Sequence, residues 1–461
     1  MAWNLEKLHK LMLFKDSNIV KIEYIHNFQL FLIQMSIHSM KPTQLDALAT
    51  ELHASYQSLK NKRLNLDITR GKPSPEQLSL SENLDGILNN NFLSAAGEDT
   101  RNYGNLRGLS EICELGSSIL KTPASQVLTG GNSSLSLMHM TAMLQYTNGT
   151  KGSNAASPWQ SLDNPTFICP VPGYDRHFSI CEALDINMIT VPMLATGPDM
   201  DAVEKLITEN DQIVGMWCVP RFSNPTGVTY DKTTVERIAK LGTIAQPYFR
   251  VFWDNAYAVH SLSDNAPELN SIWVHCVKYS TEDSVWQFAS TSKATFAGSG
   301  IAWVASSTNN LKALESLLGI TTIGADKVNQ LRHARFLTDE SALKAHMQLH
   351  AKTLKPKFDI VFDSLESELA EFGSWTHTDG GYFISFDANF GLATQIIELA
   401  AQAGLKLTPA GATYPYGKDP EDRNIRIAPS FPSEDELRKA MKIFTVCVKL
   451  ATIKQLIDQA S

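Results

Sequence analysis

Short apolar runs alternate with segments of helical periodicity along the central part of the chain. The runs rich in valine, isoleucine and aromatic residues are TFICPV, MITVPM, IVGMWCVP, RVFWDNAY, VWQFAS and IAWVASS. Between them lie segments such as DMDAVEKLITEN and KTTVERIAKLG, in which apolar positions recur at helical spacing. Near-continuous apolar strands that alternate with helices are typical of a mostly parallel sheet covered by helices on both faces. The pattern predicts a large α/β domain over residues 100–330.

A smaller α+β domain is predicted after residue 330. A long helical region from residue 326 to about 372 is followed by GGYFISFD, ATQIIELAAQAG, NIRIAPSFP and a final helix from residue 433. The segment KPTQLDALATELHASYQSLKNK predicts an amphipathic helix whose apolar face comprises Leu45, Leu48, Leu52 and Tyr56. We assign this helix and the DITRGKP segment, within residues 40–99, to the small domain formed by residues 331–461.

Residues 1–39 are assigned to an N-terminal extension of unknown role. Its apolar run LFLIQMSI is interrupted by Gln34, lacks a small-residue cleavage site and is too short to span a bilayer. We therefore expect neither secretion nor a membrane anchor. A second segment without predicted regular structure is TNGTKGSNAASPW, residues 147–159, whose glycine, serine and asparagine content favours a surface loop.

Composition narrows the class of protein further. A formal net charge of -8 with 19% charged residues offers no basic surface for nucleic acid. The six cysteines have neither CxxC spacing nor an accompanying histidine pair, so neither a zinc site nor a disulfide framework is indicated. We expect no metal, and we expect a reducing cytoplasm in which these cysteines are small buried residues.

The candidate chemistry lies where the apolar runs end, because ligands of such sheets bind beyond the carboxyl ends of the strands. Lys293 stands alone among small residues in STSKATFAGSG, directly after VWQFAS. A buried ammonium is unfavourable unless it is paired or neutralised, so this position needs an explanation. Asp254 follows RVFW in the same way and requires a cation or strong donors, with a structural core ion pair as the alternative.

Two further strand ends carry polar residues whose meaning is open when each is taken alone. In TGGNSSLSL, Asn132 and Ser133 follow two glycines at the start of a helix, where they predict either an N-cap or a phosphate site. Asn224 lies in SNPTG, which taken alone is a turn.

Taken together, SNPTG, DNAY and the serine-lysine strand end form a far more specific set. Their order and spacing resemble the class I aminotransferases, which are fold-type I enzymes dependent on pyridoxal 5'-phosphate (PLP). The resemblance covers residues 65–450. DITRGKP, TGGNSSLSL and SKATFAGSG look most similar to the aspartate aminotransferases of the MocR-like or type Ic subgroup. The resemblance to this family implies an α/β fold-type I large domain and a smaller α+β domain.

The resemblance assigns catalytic roles to three residues. Lys293 would form a Schiff base with the cofactor aldehyde and later move a proton at the substrate α-carbon. Asp254 would hold the proton of the pyridine nitrogen. Tyr257 and Asn224 would hydrogen-bond the phenolic oxygen of the ring. Tyr174 matches the aromatic residue that stacks on the ring, although a packing role in its loop is the alternative.

The phosphate of the cofactor would contact Asn132, Ser133 and Ser290. Tyr103 would reach it from a second subunit, so the resemblance implies a homodimer. One departure stands out, because the phosphate-binding arginine of most class I enzymes aligns with Ile301 here. The phosphate would then depend on hydroxyls such as those of Ser290, Ser292 and Ser299, on the helix N-terminus or on a distant cation.

Substrate recognition would rest on Arg426, which matches the arginine that grips the α-carboxylate, with a surface ion pair as the alternative. Gly71 and Asn224 would also line the substrate site. A second cation is needed for the side-chain carboxylate of aspartate, and the sequence does not choose among Arg70, Lys72, Arg107, Arg332 and Arg335. His139 is expected to pack rather than to act in catalysis.

The function implied is ping-pong transamination between L-aspartate and 2-oxoglutarate. One alternative keeps the cofactor but makes the enzyme a lyase or a transaminase for aromatic or 2-aminoadipate-type amino acids, because fold does not determine function. A transcription regulator that fuses a DNA-binding domain to this fold is disfavoured, since no helix-turn-helix pattern precedes the catalytic body. Neither nucleic acid nor membrane is expected as a partner.

Overall fold

The computed structural model describes residue 37, residues 39–150 and residues 157–460. The proposed extension lies almost wholly outside the described residues, as does the middle of the predicted loop at residues 147–159. The main feature is an eight-stranded sheet with the order β2-β9-β8-β7-β6-β3-β4-β5. Its strands are β2 (Val127–Thr129), β3 (Thr166–Val171), β4 (Asn187–Leu194), β5 (Gly197–Pro198), β6 (Ile213–Cys218), β7 (Arg250–Asp254), β8 (Val285–Ser290) and β9 (Ala302–Ala305).

The five central strands, from β8 to β4, are parallel, whereas β9, β2 and β5 are antiparallel to their neighbours. The predicted mixed, mostly parallel α/β sheet is confirmed. Strands β6, β7 and β8 are buried nearly throughout, which is why they are continuous apolar runs in the sequence. Because these three strands are parallel neighbours, their carboxyl ends lie at one edge of the sheet.

Helices cover both faces of this sheet and connect its strands, while other helices pack around a smaller antiparallel sheet. They are α1 (Pro42–Lys60), α2 (Pro75–Ser79), α3 (Ser110–Leu120), α4 (Ser134–Thr147), α5 (Asp175–Ala183), α6 (Met200–Glu209), α7 (Lys232–Lys240), α8 (Ile272–Tyr279), α9 (Thr308–Thr321), α10 (Lys327–Phe336), α11 (Glu340–Leu369), α12 (Ala393–Gln402) and α13 (Glu434–Ala460). Aspartate side chains cap several N-termini, as Asp231 does by accepting from Thr234 N at 2.7 Å.

A second group of elements packs around a three-stranded antiparallel sheet of β10 (Gly373–Trp375), β11 (Ile384–Ala388) and β13 (Asn424–Ile427). The DITRGKP segment joins this group, since β1 (Leu66–Asp67) pairs in parallel with β12 (Leu405–Lys406). Helix α1 also belongs to this group, and its Leu45, Leu52 and Tyr56 are buried in the same core while Leu48 is partly buried. The domain division between residues 99 and 100 and between residues 330 and 331 stays a prediction.

Within the described part of the chain, no helix is long and apolar enough to cross a membrane. Among those same residues, no group of three or more histidine, cysteine, aspartate or glutamate side chains is arranged to hold a metal ion. All six cysteines are buried as free thiols.

Candidate active site

A buried carboxylate at the end of β7 has only half of its hydrogen-bonding capacity filled. Asp254 is 2% exposed, and its Oδ2 lies 3.0 Å from Nε2 of His177 on α5. The His177 ring is held from behind by Trp217 of β6, with stacked ring centroids 4.3 Å apart. No described residue donates to Asp254 Oδ1, which is buried. A buried carboxylate oxygen without a donor is unfavourable, so this atom is suited to a ligand that carries a proton.

Lys293 follows the neighbouring strand β8, and its Nζ lies 5.0 Å from the centroid of the Tyr257 ring. Burial lowers the pKa of the Lys293 amine, and the negative charge of Asp254 opposes that shift. A lowered pKa enlarges the fraction of neutral amine, which is the nucleophilic form. Burial also raises the pKa of Tyr257 well above its ordinary value, with smaller contributions from Tyr174 and Asp254. Tyr257 is therefore a neutral phenol that can donate its proton in a hydrogen bond.

Arg426 projects from β13 toward the same strand ends and is 7% exposed, so it is not the surface arginine of the alternative interpretation. Its Nη1 donates to Asp175 Oδ1 at 2.9 Å and to Asn224 Oδ1 at 3.3 Å. Because the carbonyl oxygen of Asn224 faces Arg426, the amide NH2 group of Asn224 is left to donate elsewhere. Arg426 Nε is buried and has no partner among the described residues. The guanidinium therefore keeps donor capacity for a further anion.

The position of Gly71 is explained by the ring of Phe383. A Cβ atom at residue 71 would lie 2.6 Å from Phe383 Cζ, closer than side chains approach one another. The same ring also contacts Arg426, whose guanidinium carbon is 4.8 Å from the ring centroid. Gly71 therefore lets the DITRGKP segment approach the ring that supports the arginine.

The glycine-serine segment after β2 forms the predicted start of a helix. Ser133 is the N-cap of α4, and its side chain accepts from Ser136 N at 3.3 Å. The adjacent Asn132 donates from Nδ2 to Gly298 O at 3.0 Å. This segment meets the end of β8, because Ser292 Oγ donates to Asn132 O at 3.2 Å and accepts from Ser290 Oγ at 3.0 Å. Hydroxyls and a helix N-terminus thus converge here, as an anion site requires.

Ile301 stands at the position of the missing arginine, and its side chain is buried. Its backbone N–H donates to Thr291 Oγ1 at 2.9 Å. Residue 301 is therefore part of the packed interior of the protein. Ser299, another hydroxyl considered for the phosphate, donates to Asn329 Oδ1 at 3.4 Å.

Other predicted residues lie in varied surroundings. Tyr174 caps α5 beside His177, with ring centroids 5.0 Å apart, and burial with the nearby Asp254 raises its pKa to about 12. Tyr103 is 82% exposed, and its contact with a second subunit stays a prediction. His139 is exposed on α4, so the expectation that it packs is wrong. It lies on the solvent side of that helix, a distinction that the apolar sequence around it does not reveal.

The candidates for the second cation are reduced by their existing partners. Arg107 pairs with Glu315 and donates to Ser125 O. Arg335 donates to two backbone carbonyl groups, those of Leu88 and Leu93. The remaining candidates are Arg70, which is exposed, Lys72, which lies 3.8 Å from the Phe431 ring centroid, and Arg332, which is half-buried.

Four residues of this site were missed by reasoning from the sequence: His177, Asp175, Phe383 and Tyr382, whose hydroxyl donates to Lys293 O at 3.2 Å. The need of Asp254 for a donor was a usable signal for His177, which follows Tyr174 by three positions. No comparable signal existed for the other residues, since their contacts join distant parts of the chain.

A cavity of about 930 Å³ lies elsewhere in the fold. It is lined by Trp253 and Asn255, on either side of Asp254, and by Gln287. Because side chains alternate along a strand, this cavity faces the opposite side of the sheet from Asp254. The candidate active site is therefore separate from this cavity and comprises the side chains around Asp254, Lys293 and Arg426.

These residues fit pyridoxal phosphate. Asp254 Oδ1 is an unpartnered acceptor for a pyridinium N–H, and Lys293 supplies an amine of lowered pKa. The segment from Asn132 to Ser133 offers a cradle for the phosphate at the start of a helix of 14 residues.

Comparison with known proteins leads to the same class. A sequence model described as aspartate amino-transferase matches residues 40–460. An aspartate aminotransferase from Corynebacterium glutamicum is 44% identical over 420 residues, covering 90% of this chain and 96% of that protein. A crystal structure of an aspartate transaminase from the same species superposes with a TM-score of 0.88 at 43% identity, covering 91% of this chain and 99% of that one.

A more distant structure shares the fold. The α-aminoadipate aminotransferase LysN from Thermus thermophilus, complexed with N-(5'-phosphopyridoxyl)-L-leucine, has a TM-score of 0.68 at 17% identity, over 86% of this chain and 93% of that one. The fold and the site together define a fold-type I aminotransferase. The chain belongs to the aspartate aminotransferase family. The predicted resemblance to class I aminotransferases is confirmed, and the enzyme transfers amino groups between amino acids and 2-oxo acids.

Proposed function

We propose that this enzyme transfers the amino group of L-aspartate to 2-oxoglutarate, with pyridoxal phosphate held by Lys293. The observation that carries the proposal is an amine of lowered pKa placed near a buried carboxylate whose Oδ1 has no donor among the described residues. The choice of aspartate is supported by the relative from Corynebacterium glutamicum, which is named for that substrate.

The residues that are proposed to bind pyridoxal phosphate contact different parts of its ring. Pyridoxal phosphate, when bound, supplies an aldehyde that reacts with amines and a ring that withdraws electrons from the substrate α-carbon. Asp254 accepts the ring N–H through Oδ1, while His177 holds Oδ2 and so orients the carboxylate. Tyr257 and the amide of Asn224 donate to the phenolic oxygen, and Tyr174 covers the ring.

The phosphate is proposed to bind at the N-terminus of α4. Asn132, Ser133 and Ser290 provide its contacts within one subunit. Tyr103 provides a further contact from the second subunit of a homodimer, which its exposed position permits. Without a cation at Ile301, the backbone N–H groups of the helix start carry most of the charge stabilisation.

The substrate is proposed to lie between Lys293 and Arg426. Arg426 binds the α-carboxylate with its remaining donors, while Asn224 and Asp175 keep the guanidinium in place. Gly71 leaves room at the supporting Phe383 ring. Lys293 Nζ would accept the proton of the substrate α-carbon as a general base. It would then donate this proton, as a general acid, to the cofactor carbon that receives the amino group.

A cytoplasmic location is proposed from the six free cysteines, since paired cysteines would be expected in an oxidising compartment.

The visible absorption spectrum of the purified protein with pyridoxal phosphate tests this function. We expect a coloured band that bleaches on addition of L-aspartate without any 2-oxo acid, and oxaloacetate as the product. A band that aspartate leaves unchanged, but that bleaches with an aromatic amino acid or 2-aminoadipate, would identify that amino acid as the substrate in place of aspartate. A protein that shows no band after incubation with pyridoxal phosphate would overturn the proposal.

A further inference from the structure

A chain of buried hydrogen bonds ends on the backbone of Lys293. The Tyr382 hydroxyl donates to Lys293 O at 3.2 Å, and Gln77 Nε2 donates to the same hydroxyl at 2.7 Å. Neither Tyr382 nor Gln77 has any exposed surface. Three separate parts of the chain meet here, since Gln77 lies on α2, Tyr382 precedes β11 and Lys293 follows β8.

The donors and acceptors of this chain allow one arrangement around Tyr382. An amide Nε2 only donates, so the Tyr382 oxygen accepts from Gln77 and its single proton goes to Lys293 O. The second proton of Gln77 Nε2 faces Nδ1 of His350 at 3.0 Å. Gln77 Oε1 accepts from Ser74 N at 3.2 Å. Gln77 is thus held at both ends, and it determines the direction in which the Tyr382 hydroxyl points.

The ring of Tyr382 makes a second contact with the surroundings of the amine. It stacks on Tyr257 with centroids 6.1 Å apart and planes 24° apart. Tyr257 is the residue whose ring lies under Lys293 Nζ at 5.0 Å. Tyr382 therefore contacts the backbone of Lys293 through its hydroxyl, and its ring stacks on Tyr257, the ring that lies next to the Lys293 amine.

Phe383, the residue after Tyr382, contacts Arg426 at the carboxylate-binding end of the proposed substrate site. Phe383 supports the Arg426 guanidinium at 4.8 Å, whereas Tyr382 holds Lys293. The turn that carries Lys293 is closed by backbone bonds from Ala294 N and Thr295 N to Thr291 O, and the Tyr382 hydroxyl donates to Lys293 O. Two consecutive residues thus link the amine to the carboxylate-binding arginine.

We propose that Tyr382 and Gln77 are positioning residues that set the placement of the Lys293 amine relative to Arg426. This inference rests on the proposed role of Lys293 in transamination. Misplacement of a reacting group by about 1 Å can lower a rate by roughly a hundredfold, so the loss of one hydrogen bond should have a smaller but measurable effect.

The test uses Tyr382→Phe, which removes the hydroxyl and keeps the stacked ring. Tyr248→Phe is the matched control, because its hydroxyl also donates to a backbone carbonyl, that of Asp211, but near the amino end of β7. Gln77→Leu is a second variant that releases the Tyr382 hydroxyl without altering either aromatic ring. Thermal unfolding of each full-length protein checks that the fold is retained.

Two measurements are made on each variant. The first is kcat and KM for aspartate with the holoenzyme, where we expect Tyr382→Phe to lower kcat by about tenfold with less than a twofold change in KM. The second is the pH dependence of acylation of Lys293 by an amine-selective reagent in the cofactor-free protein, followed by mass spectrometry. We expect both Tyr382→Phe and Gln77→Leu to change this profile, and Tyr248→Phe to match the wild type.

The labelling experiment separates the two proposals. If the wild type does not transaminate but Tyr382→Phe still alters Lys293 labelling, the proposed function fails and the positioning role stands. If Lys293 labelling is the same in wild type, Tyr382→Phe and Gln77→Leu, the positioning role is overturned whatever happens to turnover.

Discussion

His177 Nε2 lies 3.0 Å from Asp254 Oδ2, and both side chains are almost completely buried. Oδ1 of the same carboxylate has no donor within the described part of the chain. One oxygen is thereby held by the protein while the other remains available to the cofactor. The carboxylate can thus be oriented before the cofactor arrives.

Replacing His177 should destabilise the protein through Asp254. His177→Phe keeps a ring stacked on Trp217 but removes the donor, and we expect a loss of about 2 kcal/mol in the free energy of unfolding. In an Asp254→Asn background the same change should have less than half that effect. Chemical denaturation of the four proteins gives the coupling energy, and equal losses in both backgrounds would contradict the pairing.

Removing the Lys293 amine should stabilise the cofactor-free protein in a pH-dependent way. The folded-state pKa of Lys293 is lowered from 10.5 by burial, so protons bind preferentially to the unfolded chain below that pH. Wild-type stability attributable to this group is therefore lowest below the folded pKa and recovers as pH rises toward 10.5. We expect Lys293→Met to be more stable than wild type at neutral pH, with a gap that narrows in alkaline solution.

Chemical denaturation across this pH range measures that gap. Lys312→Met serves as the control, since this lysine is on the exposed side of α9. A gap between Lys293→Met and wild type that widens with rising pH would refute the assignment of a buried, destabilised ammonium.

Changing the guanidinium of Arg426 to an ammonium should weaken the binding of the substrate carboxylate. Arg426→Lys keeps the charge but loses the planar fork, and we expect kcat/KM for aspartate to fall by roughly 30-fold to 100-fold. Arg423→Lys, on the adjoining turn, is the control and should stay within twofold of wild type. Unchanged kinetics for Arg426→Lys would make its ion pair with Asp175 purely structural.

A methyl group at residue 71 should act at a distance through Phe383. Gly71→Ala displaces a ring that supports Arg426, so we expect kcat/KM for aspartate to fall by about tenfold while cofactor affinity is retained. Gly319→Ala is the control, because its Cβ would meet only Leu106 at 3.8 Å. Steady-state kinetics and titration with pyridoxal phosphate distinguish the two effects.

Subunit mixing tests whether Tyr103 serves a second subunit. In the proposed homodimer, Lys293→Ala and Tyr103→Ala variants should each have little activity. A mixed dimer would contain one site with both native residues, so we expect activity to return when the two variants are unfolded and refolded together. Mixing without recovery, in samples shown by mass spectrometry to contain mixed dimers, would argue that Tyr103 acts within its own subunit or not at all.

Much of the α/β architecture could be predicted from the local pattern of apolar and polar residues in the sequence. Strands β3 and β8 have the bounds of the apolar runs TFICPV and VWQFAS, because strands buried on both faces admit almost only apolar residues. The ends of these runs also located Asp254 and Lys293, since a sudden change to polar residues marks the edge of a buried sheet. Exposure of a single helical position was less predictable, as His139 shows.

The sequence by itself determined the strands and helices, the class of enzyme and the position of Lys293 and Asp254 at strand ends. Only the tertiary structure decided which side chains face them. Arg426 and Asp175 are 251 positions apart, and Tyr382 and Lys293 are 89 apart. Such pairs depend on strand order, on crossover connections and on the packing of β11 and β13 beside the large sheet. Hydrophobic periodicity reports which face of an element is buried, but it carries no information about which distant element covers that face.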